Sequence, residues 1–132
     1  MSVVDPIADF LTRLRNASRI KRREVQMPSS RLKVEIAKIL KEEGYVKNYK
    51  VLETAPQNVL TVTLKYSESG QSVITGSRRI SKPGCRVFCT RDAVPKVLDG
   101  LGLAVISTSQ GVVSGKRCGE LGLGGEVLCT IW

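Results

Sequence analysis

The feature that most constrains the fold of this chain is an apolar run that ends abruptly in polar residues. Residues 103–106 have the length and β-branching of a buried strand. Three hydroxyl residues, an amide and a glycine follow at once: Ser107, Thr108, Ser109, Gln110 and Gly111. This pattern predicts a rigid strand that delivers an uncharged polar cluster, suited to recognising a base edge, a ribose hydroxyl or a folded backbone. An ordinary polar turn is the alternative interpretation.

A second predicted strand, Val127 to Trp132, follows Gly124, Gly125 and Glu126. If it pairs with the first strand, the two glycines lie where another backbone can approach closely. The Glu126 carboxylate can then accept hydrogen bonds from hydroxyl or amide groups. Glycines that merely punctuate loops are the alternative.

Charge favours an anionic partner. The chain has 132 residues, 21 basic against 12 acidic side chains and a formal net charge of +9, which suits nucleic acid or an acidic membrane surface. No apolar run approaches the ~18 to 20 residues of a membrane span, and no secretory signal opens the chain. We therefore expect a cytosolic protein with a nucleic acid partner and no membrane partner.

The first half of the chain predicts an α+β lobe. Asp5 and Pro6 are typical of a helix start, and Ser29 or Ser30 caps a second helix that stops at Gly44. The apolar residues recur at helical spacing in both: Ile7, Phe10, Leu11 and Leu14 in the first, Leu32, Ile36, Ile39 and Leu40 in the second. A short strand lies between the helices, and a hairpin of strands 45–52 and 59–66 follows.

The second half predicts a lobe made mostly of strands, with one or two short helices. The polar, aperiodic residues 67–72 are the best linker candidate, so we place the boundary between a lobe of residues 1–67 and a lobe of residues 68–132. Strand patterns occupy residues 73–75, 78–80, 85–90, 103–106 and 127–132. Asp92 is predicted to cap a helix that carries Val94, Val97, Leu98 and Leu101. The fold class is α+β with two small lobes, the last two strands framing the hydroxyl loop.

The most basic stretch runs from Arg13 to Lys33, with seven net positive charges within 21 residues, and predicts contact with phosphates. A merely solvated charged face is the alternative. The start of the second helix is a further candidate anion site, because free backbone amides and the helix dipole point outward there beside Arg31 and Lys33.

Nothing in the sequence indicates a catalytic site. The chain has no histidine, and its four cysteines include no Cys-x-x-Cys pair. Cys85 and Cys89, in a predicted strand, would lie roughly 13 Å apart, so they cannot hold one zinc ion. The segment from Gly111 to Arg117 is similar to a phosphate-binding loop but has the wrong glycine spacing and lacks a hydroxyl after Lys116. We therefore predict reduced, packed cysteines, no metal, no cofactor, no small-molecule substrate and no enzyme activity.

Five segments in order carry a resemblance that covers the whole chain: residues 5–13, 27–30, 79–84 and 94–102, and finally Ser107-Thr108-Ser109 with Gly122-Leu123-Gly124-Gly125-Glu126. Together they resemble the family of small-subunit ribosomal protein number eight in its bacterial form. The resemblance implies a structural constituent of the small ribosomal subunit. Such a protein binds directly to an internal-loop helix in the central domain of the small-subunit rRNA and supports assembly early, chiefly through its C-terminal lobe.

The resemblance also implies which residues bind RNA. For the C-terminal lobe these are Ser107, Thr108, Ser109, Gly111, Gly124, Gly125 and Glu126, with Phe88 at the position of a family aromatic. For the N-terminal lobe they are Ser29, Ser30, Arg31 and Lys33. Gln110 and Cys89 stand where many relatives carry a basic residue, so ionic contacts are not expected there. Neighbouring small-subunit proteins are implied partners, and the ribosome of the cytoplasm or of an organelle is the implied location.

Two alternatives remain at the level of sequence. A free-standing regulator that binds RNA or DNA would have a similar charge, and would bind unrelated duplexes as tightly as rRNA. A small thiol enzyme would need a cysteine of unusual reactivity near neutral pH.

Overall fold

The computed structural model of the protein describes residues 5–132, apart from the side chain of Asp99. These residues form an α+β fold and confirm the predicted class. The elements in chain order are α1 Pro6–Arg19, β1 Glu24–Pro28, α2 Arg31–Glu42, β2 Val46–Leu52, β3 Val59–Leu64, β4 Ser77–Arg79, β5 Phe88–Cys89, a single 3-10 turn Val97–Gly100, β6 Leu103–Thr108, β7 Gly111–Ser114, α3 Gly115–Leu121 and β8 Gly125–Ile131.

Both predicted N-terminal helices are confirmed, and their starts follow from capping. The Asp5 carboxylate accepts hydrogen bonds from the amides of Ile7 and Ala8 at 3.2 and 3.3 Å. At α2 the cap is Ser30, whose hydroxyl accepts from the Lys33 amide at 3.2 Å. The apolar stripes of both helices face the core, where their buried members are Ile7, Phe10, Leu11, Leu14, Ile36, Ile39 and Leu40.

The strands form two antiparallel sheets. The first has the order β1-β3-β2, and the second has the order β4-β8-β6-β7 with β5 also paired to β8. The last strand does pair with the 103–106 strand, the arrangement that the sequence left conditional, since β6 and β8 are neighbours. Ser107 lies opposite Glu126 in that pair.

One apolar cluster joins the two sheets. It contains residues of α1, β3, β6 and β8, among them Leu11, Leu60, Val105 and Ile131. A smaller cluster contains Ala104, Ile106, Cys118 and Val127, so β6 and β8 pack on both faces. The shared core holds the two halves together, and the boundary between residues 67 and 68 stays a prediction.

Several local predictions were wrong. The helix expected from Asp92 is only the 3-10 turn Val97–Gly100, because Pro95 disfavours helical backbone at Val94. The expected stripe is not buried either, since Leu98 and Leu101 are exposed. Residues 73–75 form no strand, and the strand expected over 85–90 shortens to Phe88–Cys89.

The hydroxyl residues also sit in a different connection from the one expected. They do not span from β6 to β8. Instead they form the turn of a hairpin between β6 and the short strand β7, which no pattern predicted. Helix α3 follows directly. The Ser114 hydroxyl caps it by accepting a hydrogen bond from the Arg117 amide at 3.1 Å.

Candidate nucleic-acid interface

The β6–β7 hairpin ends in a tight turn at Ser109 and Gln110, with Thr108 paired to Gly111. Gly111 has φ of +106°, a conformation that residues with side chains rarely adopt. The Thr108 hydroxyl donates to the Gly111 carbonyl at 2.7 Å and accepts from the Gln110 amide at 3.1 Å. Thr108 therefore closes the turn, and its hydroxyl proton is used within the protein.

The two flanking hydroxyls are different. Among the groups that the structure describes, neither Ser107 nor Ser109 has a hydrogen-bond partner for its side chain. Ser109 is exposed and Ser107 is half-buried at the strand end. We call residues 107–111 the hairpin tip. It presents two uncharged hydroxyls on a backbone fixed by strand pairing, each able to donate and accept.

A row of three side chains crosses the sheet at this end. Ser107 of β6 is opposite Glu126 of β8, and Glu126 is in turn opposite Phe88 of β5. Cross-strand partners project from the same face, and the two strand spacings separate Ser107 from Phe88 by roughly 10 Å. Phe88 is 69% exposed, which is high for an aromatic residue. The row therefore combines a hydroxyl, a carboxylate and an open aromatic face.

The two glycines before Glu126 lie against backbone, which is the first of the two interpretations that the sequence left open. A Cβ on Gly125 would overlap the Ser107 carbonyl oxygen, and one on Gly124 would overlap the Cys89 carbonyl oxygen. Any side chain at either position would force β8 away from β6 or from the end of β5.

Glu126 is held by the connection between β4 and β5. Its Oε2 accepts from the Ser81 hydroxyl and, at 3.0 Å, from Nη1 of Arg86. The Ser81 hydroxyl oxygen also accepts from the Val87 amide at 3.2 Å. The hydrogen bond from Ser81, followed by the bond and charge of Arg86, lowers the pKa of Glu126 below its ordinary value against the opposing effect of partial burial. Glu126 is thus a carboxylate at neutral pH.

The N-terminal residues that the resemblance assigns to RNA binding lie at the start of α2 and not at the hairpin tip. Ser29, Ser30 and Arg31 line a cleft of about 570 Å³ beside the turn between β2 and β3. The Ser30 hydroxyl accepts from the Lys33 amide, so it already serves as the helix cap. Arg31 is exposed.

The structure counts against Lys33 as an anion-binding residue. Its side chain is buried, with the residue 5% exposed, and its ammonium donates to the Pro28 carbonyl at 3.2 Å and lies 3.7 Å from Asp9. The physical reason is helical spacing, because Lys33 shares a face with the buried Ile36, Ala37 and Leu40.

Most of the basic run before α2 is accessible. The exposed side chains are those of Arg15, Arg19, Lys21, Arg22 and Arg23. Arg13 differs because its Nε donates a hydrogen bond to the Asp9 carboxylate at 2.9 Å. A cleft of about 670 Å³ between the end of α1 and β1 is lined in part by the side chains of Arg13, Arg22 and Arg23. Closely spaced guanidinium groups of this kind suit phosphate oxygens.

Comparison with known proteins settles the family. A sequence model described as Ribosomal protein S8 matches residues 5–132. The chain belongs to the ribosomal protein S8 family. Proteins named "Small ribosomal subunit protein uS8" are similar over the full length of both chains, at 56% identity in Halothermothrix orenii and 51% in Streptococcus pyogenes. A third, from Thermodesulfovibrio yellowstonii, is 51% identical over 98% of this chain and 99% of its own.

For this member of the S8 family, the structure brings together the C-terminal residues that the resemblance singled out. The hairpin tip, the two glycines, Glu126 and Phe88 lie on adjacent strands at one end of the second sheet. Sequence reasoning assigned no role to Ser81 and Arg86. No local pattern could do so, because their contacts depend on how the two-residue strand β5 pairs with β8.

The cysteines of this S8-family chain are spread through the fold. Cys85 is exposed, Cys89 is half-buried, and Cys118 and Cys129 are buried. Burial raises the pKa of the Cys129 thiol to about 12, so that thiol is protonated at neutral pH. Across the described residues, no three His, Cys, Asp or Glu side chains cluster in a way that could hold a metal ion. None of the described helices is both long and apolar enough to cross a membrane.

Proposed function

We propose that this protein is a structural constituent of the small ribosomal subunit that binds directly to an internal-loop helix in the central domain of the small-subunit rRNA. The observation that carries the proposal is the pair of hydroxyls on Ser107 and Ser109. Both lack a partner within the described residues, and both stand on a hairpin fixed by strand pairing. Early binding at this site supports assembly of the subunit.

The chemistry of the hairpin tip suits RNA. An RNA helix presents ribose hydroxyls in a wide, shallow minor groove, and an internal loop opens base edges that a regular helix hides. Hydroxyl groups donate to and accept from both. The exposed ring of Phe88, at the other end of the row, offers a surface on which an unpaired base can stack.

The basic surfaces of the N-terminal half contribute affinity for RNA, not specificity. Phosphate contacts position a protein on RNA and supply affinity that depends on salt, whereas contacts to bases and riboses supply specificity. The exposed arginines of the cleft between α1 and β1 suit the first role, and Arg31 at the start of α2 adds to it. The hairpin tip suits the second role. Neighbouring proteins of the small subunit are the remaining partners, and the ribosome is the proposed location.

The proposal is tested by removing hydroxyls without changing charge. Ser107→Ala combined with Ser109→Ala should weaken binding to an rRNA hairpin that contains the internal loop by about tenfold or more, since each lost hydrogen bond is worth roughly 0.5 to 1.5 kcal/mol. The slope of log K against log salt should stay nearly the same, because no ion is released differently.

The matched control removes two hydroxyls elsewhere. Ser67 and Ser69 lie on an exposed turn, where their hydroxyls hydrogen-bond each other at 2.9 Å and the Ser67 oxygen accepts from the Gln71 amide at 3.2 Å. Changing both to Ala removes two hydroxyls and no charge, so RNA affinity should stay unchanged at equal fold stability. Parent affinity in the Ser107 and Ser109 double variant, at equal fold stability, would contradict the proposal. Equally tight binding of the parent to unrelated duplexes would favour a free-standing regulator.

A further inference from the structure

We propose that Arg86 is an RNA-binding residue of this surface that contacts a phosphate, and that Glu126 and Ser81 are positioning residues that fix its guanidinium. This inference rests on the proposed function and deepens it. It also changes the role of Glu126 from a direct contact to a support.

The loop that carries Arg86 is anchored at both ends to β8. The Ser81 amide donates to the Val127 carbonyl at 3.0 Å, and the Val127 amide donates to the Val87 carbonyl at 2.9 Å. Lys82 and Cys85 exchange two backbone hydrogen bonds, at 3.0 and 2.9 Å, which close the loop into a tight turn. Arg86 therefore projects from a segment whose backbone is fixed.

The buried Ser81 and the partly buried Glu126 form a support beneath this loop. Ser81 is 0% exposed, and its hydroxyl donates its one proton to Glu126 and accepts from the Val87 amide. The Glu126 side chain is 20% exposed, and the same oxygen, Oε2, accepts from Arg86. A carboxylate oriented by a buried hydroxyl thus holds the guanidinium in place, which reduces the entropy lost when an anion binds.

The Arg86 guanidinium keeps capacity for a second anion. Its side chain is 51% exposed, and among the side chains that the structure describes only Nη1 makes a hydrogen bond. A guanidinium has five N–H donors in a planar fork, so the remaining donors match the oxygens of a phosphate. Two residues further on, Phe88 continues the row to Ser107. A phosphate at Arg86 would lie beside the groups that contact bases and riboses.

The exposed Arg117–Glu120 pair of the C-terminal half is built differently. Arg117 pairs with Glu120 at 3.0 Å, but both side chains are more than half exposed, at 58% and 53%. An ion pair between two such exposed side chains adds little stability and holds neither side chain in one position. Arg86 differs because its carboxylate partner is itself held by a fully buried hydroxyl.

A set of single and double variants tests the inference on the intact protein and the internal-loop hairpin. Arg86→Ala should weaken binding about tenfold. It should also make the fall of log K with log salt shallower by roughly 0.7 to 0.9, the value for one phosphate contact. Arg86→Lys should keep the slope, because charge is retained, while losing part of the affinity with the planar fork. Arg117→Ala, the matched control, should change neither quantity.

The positioning role is tested by a double-mutant cycle. Glu126→Gln and Ser81→Ala should each weaken binding in the parent, yet each should have little further effect once Arg86 is Ala. Thermal unfolding of every variant verifies that binding is compared between folded proteins. If a variant at Ser81 does not fold, the cycle of Glu126 with Arg86 gives the answer alone.

Three results would overturn the inference. They are an unchanged slope and affinity in Arg86→Ala, an equal loss in Arg117→Ala, and additive effects of Glu126→Gln and Arg86→Ala. None of these would affect the proposed function, as long as the parent still prefers the intact internal loop to a fully paired one. Loss of that preference would instead refute the proposed function itself.

Discussion

Gly125 offers the sharpest test of how the fold builds the hairpin tip. A Cβ at this position would overlap the Ser107 carbonyl oxygen, and it would lie 2.9 Å from the Ser107 carbonyl carbon and 3.2 Å from the Thr108 Cα. All three atoms belong to the backbone of β6, so no side chain can rotate away to make room. Gly125→Ala must therefore move one strand of a paired sheet.

The expected cost follows from overpacking. Inserting a methyl group into a well-packed site costs about 1 to 3 kcal/mol, and we expect a value near 3 kcal/mol because the neighbour is a paired backbone. For a chain of this size, that loss corresponds to a melting temperature lower by about 10 °C. Since the displaced strand carries Ser107, RNA affinity should also fall below the parent value at a temperature where both proteins are folded.

Gly119→Ala is the matched control. Gly119 lies in α3, is exposed, and has no neighbouring atom within 4 Å of an added Cβ. Alanine is a better helix former than glycine by up to about 1 kcal/mol, so this variant should be as stable as the parent or slightly more stable. Calorimetry or urea denaturation measures both changes. A Gly125→Ala protein with parental stability would refute the close approach of β8 to β6.

Two further predictions concern charged groups. Asp5→Ala removes the cap of α1 and also removes the carboxylate that lies 2.9 Å from Nε of Arg79, whose side chain is only 10% exposed. Urea denaturation should therefore show a free energy of unfolding lower by about 3 kcal/mol. A decrease below about 1 kcal/mol would contradict this. Because the hydrogen bond from Ser81 and then Arg86 lower the folded-state pKa of Glu126 below 4.5, its contribution to stability is present above pH 4.5 and is lost as the pH falls through the folded-state value. Glu126→Gln should therefore flatten the acid side of the profile of stability against pH, and superimposable profiles would count against the proposed bonds.

The predictable parts of the fold are those fixed by local sequence. Capping residues and an apolar stripe at helical spacing identify α1 and α2, because burial of one face is what stabilises a helix in a protein. The β6–β8 pairing was predictable for a similar reason. One strand is an apolar run that ends in polar residues, and the other follows two glycines. Few other pairings of these two segments fit that pattern.

The missed elements are short and depend on tertiary contacts. Strand β7 has four residues and α3 has seven, too few for a period to stand out, and α3 includes two glycines that disfavour a helix. The structure forms them because β7 pairs with β6 and because Ser114 caps α3. Conversely, the helix expected from Asp92 had spacing and a cap, yet Pro95 overrode both.

The candidate site divides in the same way. The residues of the hairpin tip were visible in the sequence because they interrupt a strand. The contacts of Arg86 and Ser81 with Glu126 were not, since they join positions 40 and 45 residues apart. RNA contact by Lys33 stays a prediction, although its helical spacing from Ile36 and Leu40 already places it on the buried face.

The central claim is that the hairpin tip recognises an irregular RNA helix through uncharged groups. The most direct measurement is the affinity of the parent protein for a short rRNA hairpin with its internal loop intact and for the same hairpin with the loop fully paired, at one salt concentration. The loss of a few specific hydrogen bonds predicts a preference of about tenfold or more for the intact loop. Most of that preference should disappear when Ser107 and Ser109 are both Ala. Equal affinity of the parent for the two hairpins would contradict the account.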